Sequence, residues 1–214
     1  KQPEDAIGLL SYLNREQYGQ YPIFKGPYYN APVIDSKDGN PVYRKNRETG
    51  RYEIIDPRRG THAVYDPRFV TLFPRMYSTQ GSHIQQYKNW GAVKGVPIEV
   101  TSQEGGTERL QKPTFRENLR FFFRYQLDHM YFRYFMWNFA GRQNDSQGFG
   151  GPLDGNWISG ISWLDEARLG PQYDIPVALE SKANNRFFML PLLLGLLGFF
   201  FHINKRQQDA WVVA

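Results

Sequence analysis

The chain has 214 residues, 26 Lys+Arg against 21 Asp+Glu for a net charge of +5, 16% aromatic residues and no cysteine. That length suits one domain or two small ones, and the lack of cysteine excludes disulfides and thiol chemistry. The mildly basic balance suits a surface facing anionic headgroups or phosphate-bearing lipids.

In chain order, residues 3–17 predict a helix. Pro3, Glu4 and Asp5 suit its first turn, Ile7, Leu9, Leu10 and Leu13 form an apolar stripe, and Gly19 follows its end. Residues 20–30 are rich in Pro and Tyr and read as an ordered loop. Residues 31–35, 41–45 and 51–55 predict three short strands of a small antiparallel meander, separated by the turn sequences SKDGN and NRETG. Residues 56–74 read as irregular, residues 76–90 predict a short helix, and the Gly-rich residues 96–112 predict a flexible loop or internal boundary. Thr114 and Glu117 match a capping box opening a helix that runs to Gly141. Its aromatic density and its ridge of Arg116, Arg120 and Arg124 fit either a helix on a membrane surface or an amphipathic core helix. Residues 162–169 predict a further short helix stopped by Gly170 and Pro171.

Residues 187–203, FFMLPLLLGLLGFFFHI, carry no formal charge. As a helix the run would measure roughly 25 Å, a little under the ~30 Å hydrocarbon core, with Arg186 and Lys205 snorkelling to the interfaces. The competing reading is a buried core helix that begins only at Pro191. The membrane reading makes 187–203 a transmembrane helix, 204–209 a cytoplasmic loop holding Lys205 and Arg206, and 210–214 the start of the next span. Residues 1–186 then form an extracytoplasmic, periplasmic α+β domain of helices plus a small antiparallel meander. The chain is thus expected to be a piece of a multi-pass inner-membrane protein, with Arg120, Arg124, Arg186, Lys205 and Arg206 at the membrane interface and lipid as a partner. On that topology no nucleic-acid partner is expected, despite a pI of 9.3.

His62, His83, His129 and His202 lack i+4 partners, so no metal site and no cofactor is evident. The stretch that could bind a ligand is NFAGRQND, residues 138–145. It delivers Arg142, Asn144 and Asp145 to one turn after a long helix, with a guanidinium fork for phosphate and Asn and Asp for sugar hydroxyls. Trp157 could supply an apolar platform. Asp165, Glu166 and Arg168 form a second charged cluster. Against these stands the ordinary use of Asn and Asp as caps and of Arg–Asp as ion pairs.

Residues 3–22, 65–78 (YDPRFVTLFPRMYS), 131–145 (YFRYFMWNFAGRQND), 156–171 (NWISGISWLDEARLGP) and 190–202 (LPLLLGLLGFFFH) resemble a family of large bacterial membrane proteins. That family is similar to the transmembrane-protein-260 type of protein O-mannosyltransferase. The resemblance implies a GT-C-like polytopic glycosyltransferase. It would use a polyprenyl-phosphate sugar as donor and extracytoplasmic protein Ser/Thr as acceptor, with a catalytic carboxylate outside this segment. The alternative is a non-catalytic, membrane-anchored interaction domain of an envelope or secretion complex.

Overall fold

The computed structural model describes residues 6–13, 21–57, 61–101, 106–172 and 180–213. They form an α+β arrangement of short helices and five two-stranded antiparallel sheets, in two compact units, Lys1–Phe122 and Phe123–Ala214.

In the first unit the helix predicted at 3–17 is α1, Ala6–Leu13; its proposed start at Pro3–Asp5 and its end at Gln17 and Gly19 lie outside the described residues. Strand β1 (Lys25–Pro27) has a distant partner, β6 (Val70–Leu72), with Gly26 opposite Thr71. The expected meander is a nested ribbon instead. Strand β2 (Val33–Asp38) pairs with β5 (Thr61–Tyr65), and β3 (Val42–Lys45) pairs with β4 (Tyr52–Asp56). The turn sequence NRETG does close β3 onto β4: the Asn46 side chain accepts from the amides of Glu48 and Thr49, and the Gly50 amide donates to the Asn46 carbonyl. SKDGN makes no second hairpin, because residues 33–38 find their ladder in a segment that lies after β4 in the chain. Residues 56–74 therefore hold two strands and the 3₁₀ turn Pro67–Phe69, where irregular chain was expected.

Helix α2 spans Gly81–Gly91. Strand β7 (Val96–Thr101) pairs antiparallel with β8 (Thr107–Lys112). Where a flexible loop or internal boundary was expected over 96–112, both described arms are paired strand, and residues 102–105 lie outside the described residues. The alternation of Val96, Ile98 and Val100 with polar residues meets the period-2 requirement of a strand, and the sequence's Gly and polar content had masked it. Asn30 donates to the Gln111 carbonyl at 2.7 Å and Arg68 to the Glu99 carbonyl at 3.1 Å, fastening the strand pair by side chains.

Helix α3 (Phe115–Phe121) starts with the capping box that Thr114 and Glu117 predict, both reciprocal bonds being present. Its buried face, Glu117, Asn118 and Phe121, adjoins the core of the unit. Phe121 is buried edge-on against Tyr87 at 4.9 Å, a geometry worth roughly 0.5–1.5 kcal/mol beyond area burial. Tyr28, Phe69 and Met76 complete the core. Glu117, 7% exposed, does more than cap. It accepts from the Thr114 amide (2.7 Å) and hydroxyl (2.9 Å), and also from the amides of Lys94 (2.7 Å) and Gly95 (3.1 Å). Next to it, fully buried Asn118 accepts from the Arg75 amide and donates to the Phe73 carbonyl, both at 2.9 Å. Phe73 has φ +49, a conformation that a bulky residue adopts only when its surroundings impose it. Asn118, the Phe122 ring at 5.0 Å and the Arg75 guanidinium 4.0 Å from the Phe73 centroid supply that constraint. Arg120, expected at a membrane interface, donates to the Gly91 carbonyl at the end of α2.

The helical conformation continues as a π-helical stretch, Phe122–Phe132, and α4, Arg133–Phe139. The single regular helix expected over 114–140 thus has three parts. The second unit, from Phe123 onward, adds β9 (Gly141–Arg142), α5 (Ser162–Leu169), β10 (Asn185–Arg186), α6 (Leu190–Lys205) and α7 (Gln207–Val213). Helix α5 and its stop at Gly170 fall where the sequence places them.

The membrane-spanning reading is overturned here. No helix among the described residues is long and apolar enough to cross a membrane. The run 187–203 does not start as a helix: Phe187 and Phe188 donate their amides to Ala140 and Ser159 carbonyls within the second unit, and Phe188 and Met189 are left-handed (φ +51 and +59). Pro191 stands in the first turn of α6, so the helix has 16 residues, about 24 Å, and its end at Lys205 is capped by Arg206. The expected loop 204–209 instead holds the end of α6, Arg206 and the first turn of α7, with Arg206 and Asp209 3.6 Å apart. The polytopic GT-C-like architecture and the inner-membrane location lose the spans on which they depended. Arg186 lies in β10 opposite Gly141, and Arg124 is exposed on the π-helical stretch.

Burial raises the Glu117 pKa, but the amides of Thr114, Lys94 and Gly95 and the Thr114 hydroxyl together hold it below the usual carboxylate value. A carboxyl whose pKa is lowered by folding contributes stability above its unfolded pKa and loses it as pH falls through the folded one. Glu117→Gln is therefore expected to destabilise the first unit by about 1.5–3 kcal/mol at pH 7. In urea titrations the difference from the unsubstituted protein should shrink towards pH 3.

Candidate functional site

The residues singled out in the sequence meet in the second unit around one loop, residues 143–157. Gly141 begins it with φ +130, and a Cβ there would collide with the Asn185 and Ile158 carbonyls, so only glycine fits. Arg142 is opposite Asn185 on one side and Trp157 on the other. Gln143 and Ile158 donate to the Asn156 and Gly141 carbonyls, making residues 156–158 an irregular third strand. Arg142 takes an Asn185 side-chain oxygen on its amide at 2.9 Å and donates its Nε–H to the Ala183 carbonyl at 3.2 Å. Among the described residues its two Nη groups have no hydrogen bond, and the side chain is half-buried.

Asn144 is buried and faces inward. It accepts from the Gly155 amide at 2.8 Å and donates to the Leu153 carbonyl and the Asp154 carboxylate, both at 3.2 Å. Gln143 donates to the Pro152 carbonyl, and Asn156 donates to Gln143, to the Gly151 carbonyl and to the Asp154 carbonyl. Asp145, expected to join Arg142 and Asn144, is exposed and apart from this network. Trp157 does not offer a free platform: the Arg168 guanidinium stacks on it at 3.5 Å and bonds its carbonyl at 3.1 Å. Of the four residues proposed to bind a sugar phosphate, Asn144 and Trp157 thus have their polar or aromatic surfaces occupied within the fold.

The second charged cluster separates in the same way. Asp165, 3% exposed, accepts from the Ser159 amide (2.8 Å), the Ser159 hydroxyl (3.0 Å) and the Gly160 amide (2.7 Å), holding the turn before α5.

Two residues of the helical stretch that sequence reading did not select complete the site. Arg133 donates to the Gly155 carbonyl at 2.8 Å and sits 4.9 Å from the Trp137 ring centroid. His129, 9% exposed, stacks on Tyr125. Their i, i+4 spacing places them on one side of a helix, but nothing local shows that the side faces a glycine loop. Gly148 and Gly155 form the neck: a Cβ on either would run into the backbone of the opposite arm. Beyond the neck, Phe149 is 72% and Leu153 55% exposed. Among the described residues no group of three or more His, Asp or Glu side chains could hold a metal ion.

Asn144→Ala leaves a loop amide and a carbonyl without partners and is expected to cost about 1–3 kcal/mol of second-unit stability. Asp145→Ala should change it by less than about 0.5 kcal/mol. Hydrogen exchange of the Gly155 amide separates the two, rising in the first variant only.

Residues 19–123 match a family of unknown function, DUF8416. The match covers just under half the chain and ends where the first unit ends. No curated protein and no solved structure matches the chain.

Proposed function

We propose that the chain is a non-catalytic protein-interaction module whose contact element is the loop over residues 143–157. The observation that carries this reading is a neck locked by side-chain hydrogen bonds with two apolar side chains displayed beyond it. Single exposed hydrophobic residues are ordinary. Here they stand on a loop whose order is set before any partner arrives, which lowers the entropy lost on association. An aromatic anchor on a rigid support is the kind of group that dominates contact energies. The polar side chains nearby that could do chemistry, Asn144 and Asp165, are engaged in holding backbone amides. The partner is a protein with an apolar pocket able to receive Phe149.

A photoreactive phenylalanine analogue at position 149, in the protein within its native cells, is expected to give a discrete adduct with one protein. The same group at Ala167, exposed on α5, serves as control. Equal adducts from both positions, or none from 149, would remove the reading. Phe149→Ser should reduce co-purification of the adduct's partner by about 10-fold or more.

A second reading, contact with the phosphate of a sugar-phosphate donor, has one observation in its favour. Arg142 is held by its Nε and backbone while its Nη pair faces no acceptor among the described residues. A guanidinium anchored in this way presents a fork for a phosphate. Titration with a hexose 1-phosphate should then move the Arg142 side-chain NMR signals, and Arg142→Lys should weaken binding by about 10- to 150-fold. Unmoved Arg142 signals at millimolar ligand would reject it.

A further inference from the structure

The first unit contains an open-sided cavity of about 240 Å³. Buried Tyr28 and Val70 of β6 line it, β7 contributes Val96 and Ile98, and the step from β8 into α3 contributes Lys112 and Phe115. Residues two apart on a strand share a face, so Val96, Ile98 and Val100 point the same way. Exposure falls along that face: Val96 is exposed, Ile98 half-buried and Val100 buried. The cavity occupies the open end of this gradient.

Lys112 is opposite Val96 in the ladder and on the same face of β8 as Leu110, where apolar residues are the rule. It is half-buried, and among the described residues its ammonium makes no hydrogen bond and no ion pair. Asp66 is near enough to feel that charge, but both of its oxygens bond Arg68. The two threonine hydroxyls of the lining are also engaged. Thr71 donates to the Leu72 carbonyl at 3.2 Å and Thr114 to Glu117 at 2.9 Å. Lys112 is the one charged side chain of the lining among the described residues.

We propose that this cavity binds a small monocarboxylate, its apolar body between Val70, Val96, Ile98 and Phe115 and its carboxylate paired with Lys112. At roughly 30 Å³ for each non-hydrogen atom, the space holds about eight, the size of hexanoate. A sugar or a nucleotide carries more polar groups than these walls can satisfy. A half-exposed ion pair adds little by itself, so the apolar walls supply most of the affinity and Lys112 selects the charged end. The site is in the other unit from the loop over residues 143–157, and its test leaves the contact reading of that loop untouched.

The full chain, with ¹³C in its Val, Leu and Ile methyl groups, is titrated with straight-chain acids from butanoate to decanoate and followed by NMR. The Val70, Val96 and Ile98 methyl signals should shift and saturate, with a hexanoate Kd on the order of 1 mM. Each added methylene should strengthen binding about fourfold up to hexanoate and add little beyond octanoate, where the cavity is full. Hexanol, which keeps the body and lacks the charge, should bind about two- to fivefold more weakly than hexanoate. In Lys112→Met the two should bind alike, an outcome that a merely structural lysine would not produce. Ile98→Phe fills the cavity and should weaken both by about tenfold or more, which keeps the site testable should Lys112→Met fail to fold. Equal affinity of hexanoate and hexanol for the unsubstituted protein, or unchanged preference for hexanoate in Lys112→Met, would overturn the proposal. So would shifts that never saturate, or that appear equally at the exposed Leu194 and Leu197 methyls of α6, because they would mark partition onto apolar surface.

Discussion

The buried carboxylate of Glu117 ties the Lys94–Gly95 backbone to the start of one helix, whose Asn118 and Arg120 hold two further segments. A helix leaves its first amides without internal partners, and loops packed against it leave more. Glu117 closes its own cap through Thr114 and reaches the Lys94 and Gly95 amides with its second oxygen. Asn118 does the same for residues 73 and 75. With sheets of only two strands, the first unit has little ladder bonding to define its tertiary arrangement, because isolated two-stranded pairs are marginal in water. The helix start is therefore where the β1–β6 connection, the approach to the β7–β8 pair and the α2 C-terminus are brought into register.

The second unit uses the same chemistry. Asp165 gathers the Ser159 and Gly160 amides, and Asn144 gathers Gly155. Each of these polar groups is buried and satisfied by backbone, an arrangement that is costly to disturb and specific in shape. This is why residues that look chemically promising in the sequence prove to be architectural. An Asn beside an Arg beside an Asp carries no sign of which one turns inward. Here the strand pairing of Arg142 with Asn185 and Trp157 settles it, and Asn185 comes from over 40 residues away.

The apolar run near the end shows a different limit. Its composition meets the requirements of a span, and residues 187–203 are uncharged. Its first residues are nevertheless drawn into hydrogen bonds with Ala140 and Ser159, and two left-handed residues separate them from the helix. Hydropathy counts side chains and is blind to which backbone amides have been claimed elsewhere. With its first three residues outside the helix, α6 begins at Leu190 and reaches 16 residues only by running on to Lys205.

What the sequence by itself determined was local. The Thr114–Glu117 box, the β3–β4 turn closed by Asn46 and Gly50, and helix α5 with its stop at Gly170 each depend on residues within a few positions of one another. Their energies are settled by neighbours, so their signals survive in a linear reading. The tertiary structure alone decided the rest. It paired β2 with β5, β1 with β6 and β7 with β8, and set Arg133 against a glycine neck. Those contacts join residues up to 47 positions apart, and a ladder or side-chain bond between such residues is indifferent to the sequence in between. The same reason separates Arg142 from Asn144 in role. Two positions apart in the chain, they differ because the loop backbone takes up both ends of the Asn144 amide, while the Arg142 Nη groups meet no acceptor among the described residues.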